Sequence, residues 1–115
     1  MAAVDELSPA NFDQAVFGSG EKLVVVYFWG PDCPNCEVFA RHLPGLMPKV
    51  EALGVRLVKV NAYLYPELAT RFGLHGIPTF ILVRGGRLLG RMTSFQGDEY
   101  FLGVLGDRLE TRTGD

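Results

Sequence analysis

Cysteine, histidine and tryptophan are all scarce in this 115-residue chain, which has two cysteines, two histidines and one tryptophan. Two cysteines cannot build a disulfide framework. A structural zinc site wants four Cys or His ligands and would need Cys33, Cys36, His42 and His75, the whole supply. His42 lies six residues beyond Cys36 on the expected helix, off the face of the cysteines, so no metal site is expected. A surplus of one charge is missing as well. Lys and Arg number 11 against 13 Asp and Glu, a formal net charge of −2, which implies neither nucleic acid nor an anionic membrane as a partner. No apolar run approaches the roughly 18 residues of a membrane span, and the opening MAAVDELSPA has neither the basic nor the apolar segment of an export signal. The expectation is a cytoplasmic monomer. In a reducing compartment a lone C-x-x-C points to redox chemistry or to metal.

What is present is apolar: 48% of the residues are hydrophobic, material for one domain with one core over residues 1–115. Charge is unevenly spread. Residues 1–37 hold Lys22 against Asp5, Glu6, Asp13, Glu21, Asp32 and Glu37, a pattern read as a lopsided solvated surface rather than as steering of a partner. There is no internal repeat and no low-complexity segment.

The chain is organised around residues 23–36, LVVVYFWGPDCPNC. Its first seven residues lack period-2 alternation and are β-branched or aromatic, as in a strand covered on both faces at the middle of a sheet. Gly30 and Pro31 break that strand, and Pro34 falls where proline is best tolerated, in the first turn of a helix. Cys33 then caps the helix and Cys36 lies one turn inside it. Residues three apart on a helix have β-carbons roughly 5–6 Å apart, so a disulfide can open and close with little movement. The outer sulfur faces unpaired backbone N–H groups and the positive end of the helix dipole, both of which favour thiolate. Cys33 is therefore the expected nucleophile, accessible to solvent, and Cys36 the resolving thiol. A buried structural disulfide is the blander alternative.

Elsewhere the pattern predicts a short edge strand over 4–7 and a helix capped by Ser8 with Pro9 first, its stripe formed by Phe12, Val16 and Phe17. After the cysteines, Val38, Phe39, Leu43, Leu46, Met47, Val50 and Leu53 form a helical stripe toward the core, with a kink or short break expected near 41–44 because of Pro44. Residues 55–61 alternate as a strand that leaves Lys59 in or beside the core, and 66–72 read as a short helix. The run TFILV after Pro78 is a second apolar strand, Gly85-Gly86 a hairpin turn, and 87–93 the return strand. A last helix over 98–109 turns Tyr100, Phe101, Val104, Leu105 and Leu109 inward, followed by a polar tail. The order (β)αβαβαββα implies an α/β fold, helices covering both faces of a mixed sheet.

A strand ending in FW, the C-x-x-C turn, and GIPTF ahead of a strand and a glycine hairpin together resemble the thioredoxin family over nearly the whole chain. The resemblance implies the thioredoxin fold and a thiol–disulfide oxidoreductase, with no cofactor beyond the Cys33–Cys36 disulfide. Its partners would be disulfide-containing protein substrates and a flavin-dependent, thioredoxin-reductase-like electron donor or a small-thiol pool. It makes Pro78 the family's cis-proline and Trp29 the floor of the active-site turn, and it carries the substrate groove over Pro31, Asp32, Pro34 and Asn35. His75, Ile77, Pro78 and Ser94 complete that groove, and an extended substrate strand could pair with the backbone of Ile77.

Several positions depart from the family. Tyr27 stands where thioredoxins carry a buried acid thought to deprotonate the resolving cysteine, and a phenol is a poor base at neutral pH. Lys59 matches the lysine that pairs with that acid, so Tyr27 either bonds Lys59 or nearby backbone, or Lys59 reaches for solvent. Asp32 replaces a second tryptophan, Pro34-Asn35 replaces Gly-Pro, and Ser94, followed by Phe95, replaces a groove glycine, which implies a narrower or differently shaped groove. These departures leave a competing reading, a thioredoxin-like binding module with weak or regulatory redox activity.

Overall fold

In a computed structural model, described over residues 4–110, the elements run β1 (Asp5–Glu6), α1 (Phe12–Phe17), β2 (Val24–Trp29), α2 (Pro34–Ala52), β3 (Arg56–Asn61), α3 (Pro66–Arg71), β4 (Thr79–Arg84), β5 (Arg87–Met92) and α4 (Asp98–Glu110). The expected polar tail beyond residue 110 lies outside the described residues. The five strands form one sheet in the order β1-β3-β2-β4-β5, with β1, β3 and β2 parallel and β4 antiparallel to both β2 and β5. The mixed α/β sheet with a final antiparallel pair is therefore as the sequence implies.

The unalternating run of β2 follows from its place between β3 and β4, where both faces are covered. Val25 and Tyr27 point to the side of α2 and α4 and join Phe39, Leu46, Val50, Phe101 and Leu105. Val24, Val26 and Phe28 point the other way, to Phe12 and Val16 of α1 and Leu68 of α3. The β4–β5 hairpin turns through Gly85 and Gly86 at φ +60° and +75°, values that suit a two-residue turn of the hand matching strand twist.

Four local expectations are corrected. Helix α2 is continuous through Pro44 and Pro48, so the short break near 41–44 does not occur. An interior proline costs about 3 kcal/mol, whereas each fully buried Phe, Leu or Val side chain contributes about 1.5–3 kcal/mol. Phe39 before Pro44, and Leu46 and Val50 after it, are fully buried, so packing on both sides outweighs the lost backbone bond. Helix α1 starts at Phe12 rather than Pro9, because the Asn11 side chain turns back to accept the Ser8 N–H at 2.8 Å and holds residues 8–11 as a turn. Tyr100 is exposed, since the inward stripe of α4 is centred on Phe101 and Leu105, and Tyr100 falls outside it; Leu53 is exposed too, because it is the C-cap of α2 and lies past the end of the helix's stripe.

Candidate active site

Strand β2 ends at Trp29, at the carboxyl end of the central strand, and the chain then turns sharply through residues 30–33. Asp32 takes φ +56°, the left-handed region that Asp tolerates better than most residues, and this reversal lets α2 begin within two residues. Cys33 is the N-cap of α2 with extended backbone, and Pro34 follows it in the first turn. The two cysteines are joined in a disulfide with Cα atoms 5.2 Å apart. The Cys36 N–H donates to Cys33 Sγ at 3.2 Å, so one of the unpaired amides at the helix start is aimed at the outer sulfur.

The outer sulfur is less open than the sequence leads one to expect. Cys33 is 7% exposed and Cys36 3%, so most of Cys33 is covered and access is confined to its rim. Part of the cover comes from the loop before β4: the Ile77 carbonyl oxygen is 3.7 Å from Cys33 Sγ, and the Ile77–Pro78 peptide is cis, as the resemblance implies. Pro78 itself is buried. Thr79, the buried polar residue after it, donates its hydroxyl to the Gly76 carbonyl at 2.8 Å and ties the loop closed. Gly30 leaves room for the side chains of Ile77 and Tyr63. A β-carbon there would sit 2.8 Å from Ile77 Cδ1 and 3.0 Å from the Tyr63 ring.

Behind the disulfide, Tyr27 is buried between Phe39, edge-on at 4.7 Å, and Phe80, stacked at 5.2 Å. Its hydroxyl donates to the Cys36 carbonyl oxygen at 3.2 Å, which selects backbone rather than Lys59 from the two partners the sequence leaves open. Burial pushes the phenol up to about 12, so at neutral pH it holds its proton. Lys59, opposite Tyr27 in the β2–β3 register, instead places Nζ 5.4 Å from the centroid of Trp29, over the ring. A cavity of about 370 Å³ opens here, lined by Tyr27, Trp29, Cys36, Glu37 and Lys59 among others.

The remaining sequence candidates are spread around this centre. Pro31, Asp32 and Pro34 are exposed on the turn, Asn35 is half-buried, and His75 is exposed on the loop ahead of Ile77. Ser94 lies just beyond β5, half-buried, and accepts from Gln96 Nε2 at 3.3 Å. Phe95 does not narrow a groove; it is buried in the core against Phe39, Phe101 and the His42 ring. His42 is held by Asp98 at 2.7 Å across α2 and α4, and among the described residues no group of three or more His, Cys, Asp or Glu could hold a metal. Two functional neighbours have no sequence motif to reveal them. Glu6 of β1 accepts the Trp29 indole N–H at 3.0 Å, and Tyr63, on a loop whose amides at residues 63 and 64 donate to Asn61 Oδ1, lies against Gly30.

The Thioredoxin family model matches residues 3–101 of the chain. A thioredoxin of Alicyclobacillus acidocaldarius is 36% identical over 104 residues, covering 90% of this chain and 96% of that protein. A thioredoxin of Synechocystis sp. is 33% identical over 87 residues, 76% of this chain and 79% of the relative. A protein disulfide-isomerase of Gallus gallus is 35% identical over 82 residues, 70% of this chain but 16% of the larger protein. In three dimensions the crystal structure of Chlamydomonas reinhardtii thioredoxin f2 superposes with a TM-score of 0.82 over 96% of this chain and 100% of that one, at 24% identity, a likeness of fold.

Proposed function

The chain belongs to the thioredoxin family and is a thiol–disulfide oxidoreductase, and on that premise we propose that Cys33 is the sulfur that attacks and Cys36 the one that resolves. In the reduced protein the Cys33 thiolate attacks one sulfur of a substrate disulfide. A mixed disulfide forms, and the other substrate sulfur departs as thiolate and takes up a proton. Cys36, as thiolate, then attacks Cys33 Sγ, the second substrate thiolate leaves, and the Cys33–Cys36 disulfide is restored. Two electrons pass from the cysteine pair to the substrate. Turnover needs a donor of two electrons, a thioredoxin-reductase-like flavoenzyme or a small thiol.

The observation that carries this assignment is the Cys36 N–H aimed at Cys33 Sγ at the start of a 19-residue helix, an environment that stabilises negative charge on that sulfur alone. The Ile77 carbonyl beside it supports docking of an extended substrate segment against the residue 76–78 loop, with Trp29, Pro31, Asp32, Pro34, Asn35, His75 and Ser94 around it. The phenol of Tyr27 supplies no base. Cys36 therefore loses its proton to another acceptor, namely water or a carboxylate in the adjacent cavity, which Asp32 and Glu37 line, or the substrate's departing thiolate. We further read residues 1–115 as one thioredoxin-like domain acting as a cytoplasmic monomer in cellular electron transport, without nucleic acid or membrane as a partner. The near-balanced net charge of −2 supports the part of this reading that concerns nucleic acid and anionic membranes.

Insulin reduction with dithiothreitol tests the central assignment. Wild type is expected to accelerate precipitation of the insulin B chain, and Cys33→Ser is expected to fall to the uncatalysed rate. Equal rates for the two proteins would overturn it. The reduction potential of the Cys33–Cys36 couple then decides between reductant and oxidant, since the helix start and Pro34 favour an oxidising couple and the Asp32 carboxylate opposes it.

A further inference from the structure

Trp29 is the single tryptophan of the chain, and it is held from two directions by groups of opposite charge. At its edge the indole N–H donates to Glu6 Oε2 at 3.0 Å, and on its face the Lys59 ammonium lies 5.4 Å from the ring centroid. Both partners come from one level of the sheet: Glu6 is opposite Lys59 in the β1–β3 pairing, and Lys59 is opposite Tyr27 in β2. Strand β1 is two residues long and both are exposed, so Glu6 adds nothing to the core. What it does reach is the residue at which β2 gives way to the cysteine turn. Trp29 also lines the cavity beside Cys36, together with Lys59, so the orientation of the indole sets one wall of the space behind the resolving sulfur.

We propose that Glu6 is a positioning residue for the disulfide exchange: it fixes the Trp29 indole against the active-site turn from the far edge of the sheet, with Lys59 over the face of the ring. This rests on the role given above to Cys33 and Cys36. A half-buried indole has two side-chain torsions to fix, and a charge-assisted hydrogen bond to its N–H together with a cation over its face restricts both. Releasing one of them loosens the wall next to Cys36 while leaving the rim of Cys33 and the Ile77 backbone intact. The effect therefore falls more on resolution than on docking, in which Trp29 is one of several residues around the substrate segment.

The test uses Glu6→Ala, Glu6→Gln and wild type, with insulin reduction resolved into kcat and KM and with Trp29 fluorescence anisotropy, which a single tryptophan makes specific to this site. Glu6→Ala is expected to lower the anisotropy and to cut kcat by about three- to tenfold with a smaller change in KM, the size expected when one orienting contact is lost. Glu6→Gln keeps an acceptor oxygen and is expected to restore both to within about twofold. Wild-type anisotropy in Glu6→Ala would overturn the proposal, and so would lowered anisotropy with unchanged kcat, since Glu6 would then hold the ring without serving the reaction. An inactive wild type with normal folding would instead sink the assignment of Cys33, and the anisotropy of Glu6→Ala would still decide whether Glu6 holds Trp29.

Discussion

The two faces of β2 are built from alternate residues of one strand and do different work. Val24, Val26 and Phe28 enter a wholly apolar cluster with Phe12, Val16, Val58, Val60, Leu68, Ile81 and Val83. Its rim is closed by Arg71, whose guanidinium lies 5.3–5.6 Å from the rings of Phe12, Phe17 and Phe72 and is held by Asp13 at 2.7 Å. Tyr27 and Trp29, on the other face, each carry a polar tip that finds a partner, and beside them lie Lys59, Cys36 and two neighbouring cavities of about 370 and 410 Å³. One face is a rigid platform and the other holds the chemistry. Because side chains alternate with period 2, a single strand can supply both, provided the closed face is packed well enough to hold the open one in register.

Removing the ring of Phe28 attacks the platform. Phe28→Ala is expected to cost about 3–5 kcal/mol, read from denaturant midpoints, with insulin-reduction activity per folded molecule unchanged. A large loss of specific activity at full folding would break the division of labour between the faces. On the open face the expected effect is kinetic. With a protonated phenol where a carboxylate base would serve, decay of a Cys33 mixed disulfide is expected to be about tenfold slower than in a thioredoxin with an acid at that position, by stopped flow at pH 7. A matching rate would mean that Cys36 needs no internal base.

Tyr27→Phe should give the smallest change, about 0.5–1.5 kcal/mol at neutral pH for one hydrogen bond lost. Its pH dependence sharpens the comparison. The folded phenol keeps its proton until about 12, whereas the unfolded one ionises near its ordinary value of 10. Tyr27 therefore stabilises the fold fully below pH 10, and that contribution is lost as pH rises through 12. Melting curves from pH 8 to 12 should show wild type losing its advantage over Tyr27→Phe along this interval. A constant gap would place the phenol in water.

Much of this was legible in advance. The apolar run 23–29, the proline after Cys33 and the paired glycines at 85–86 act through backbone preferences over a few residues, so β2, the start of α2 and the hairpin could be read directly. The prolines of α2 were misleading for a reason that can be stated: their local cost is real, but Phe39, Leu46 and Val50 are buried on either side of Pro44 by elements far away in the chain. Tyr100 shows the same limit, since periodicity identifies an apolar stripe but not its rim, and Phe95 belongs to no periodic run, so its place in the core follows from packing alone.

The sequence by itself determined which atoms can exchange electrons and where they sit in the chain, because a cysteine pair one helical turn apart behind a strand is a matter of local geometry. Only the tertiary structure decided what surrounds them. The Tyr27 hydroxyl chose the Cys36 carbonyl, Lys59 chose the face of Trp29, and Glu6 reached Trp29 across 23 residues of chain. Those choices depend on which strands lie side by side and in what register, and strand neighbours are set by the packing of the whole sheet rather than by any short stretch of residues.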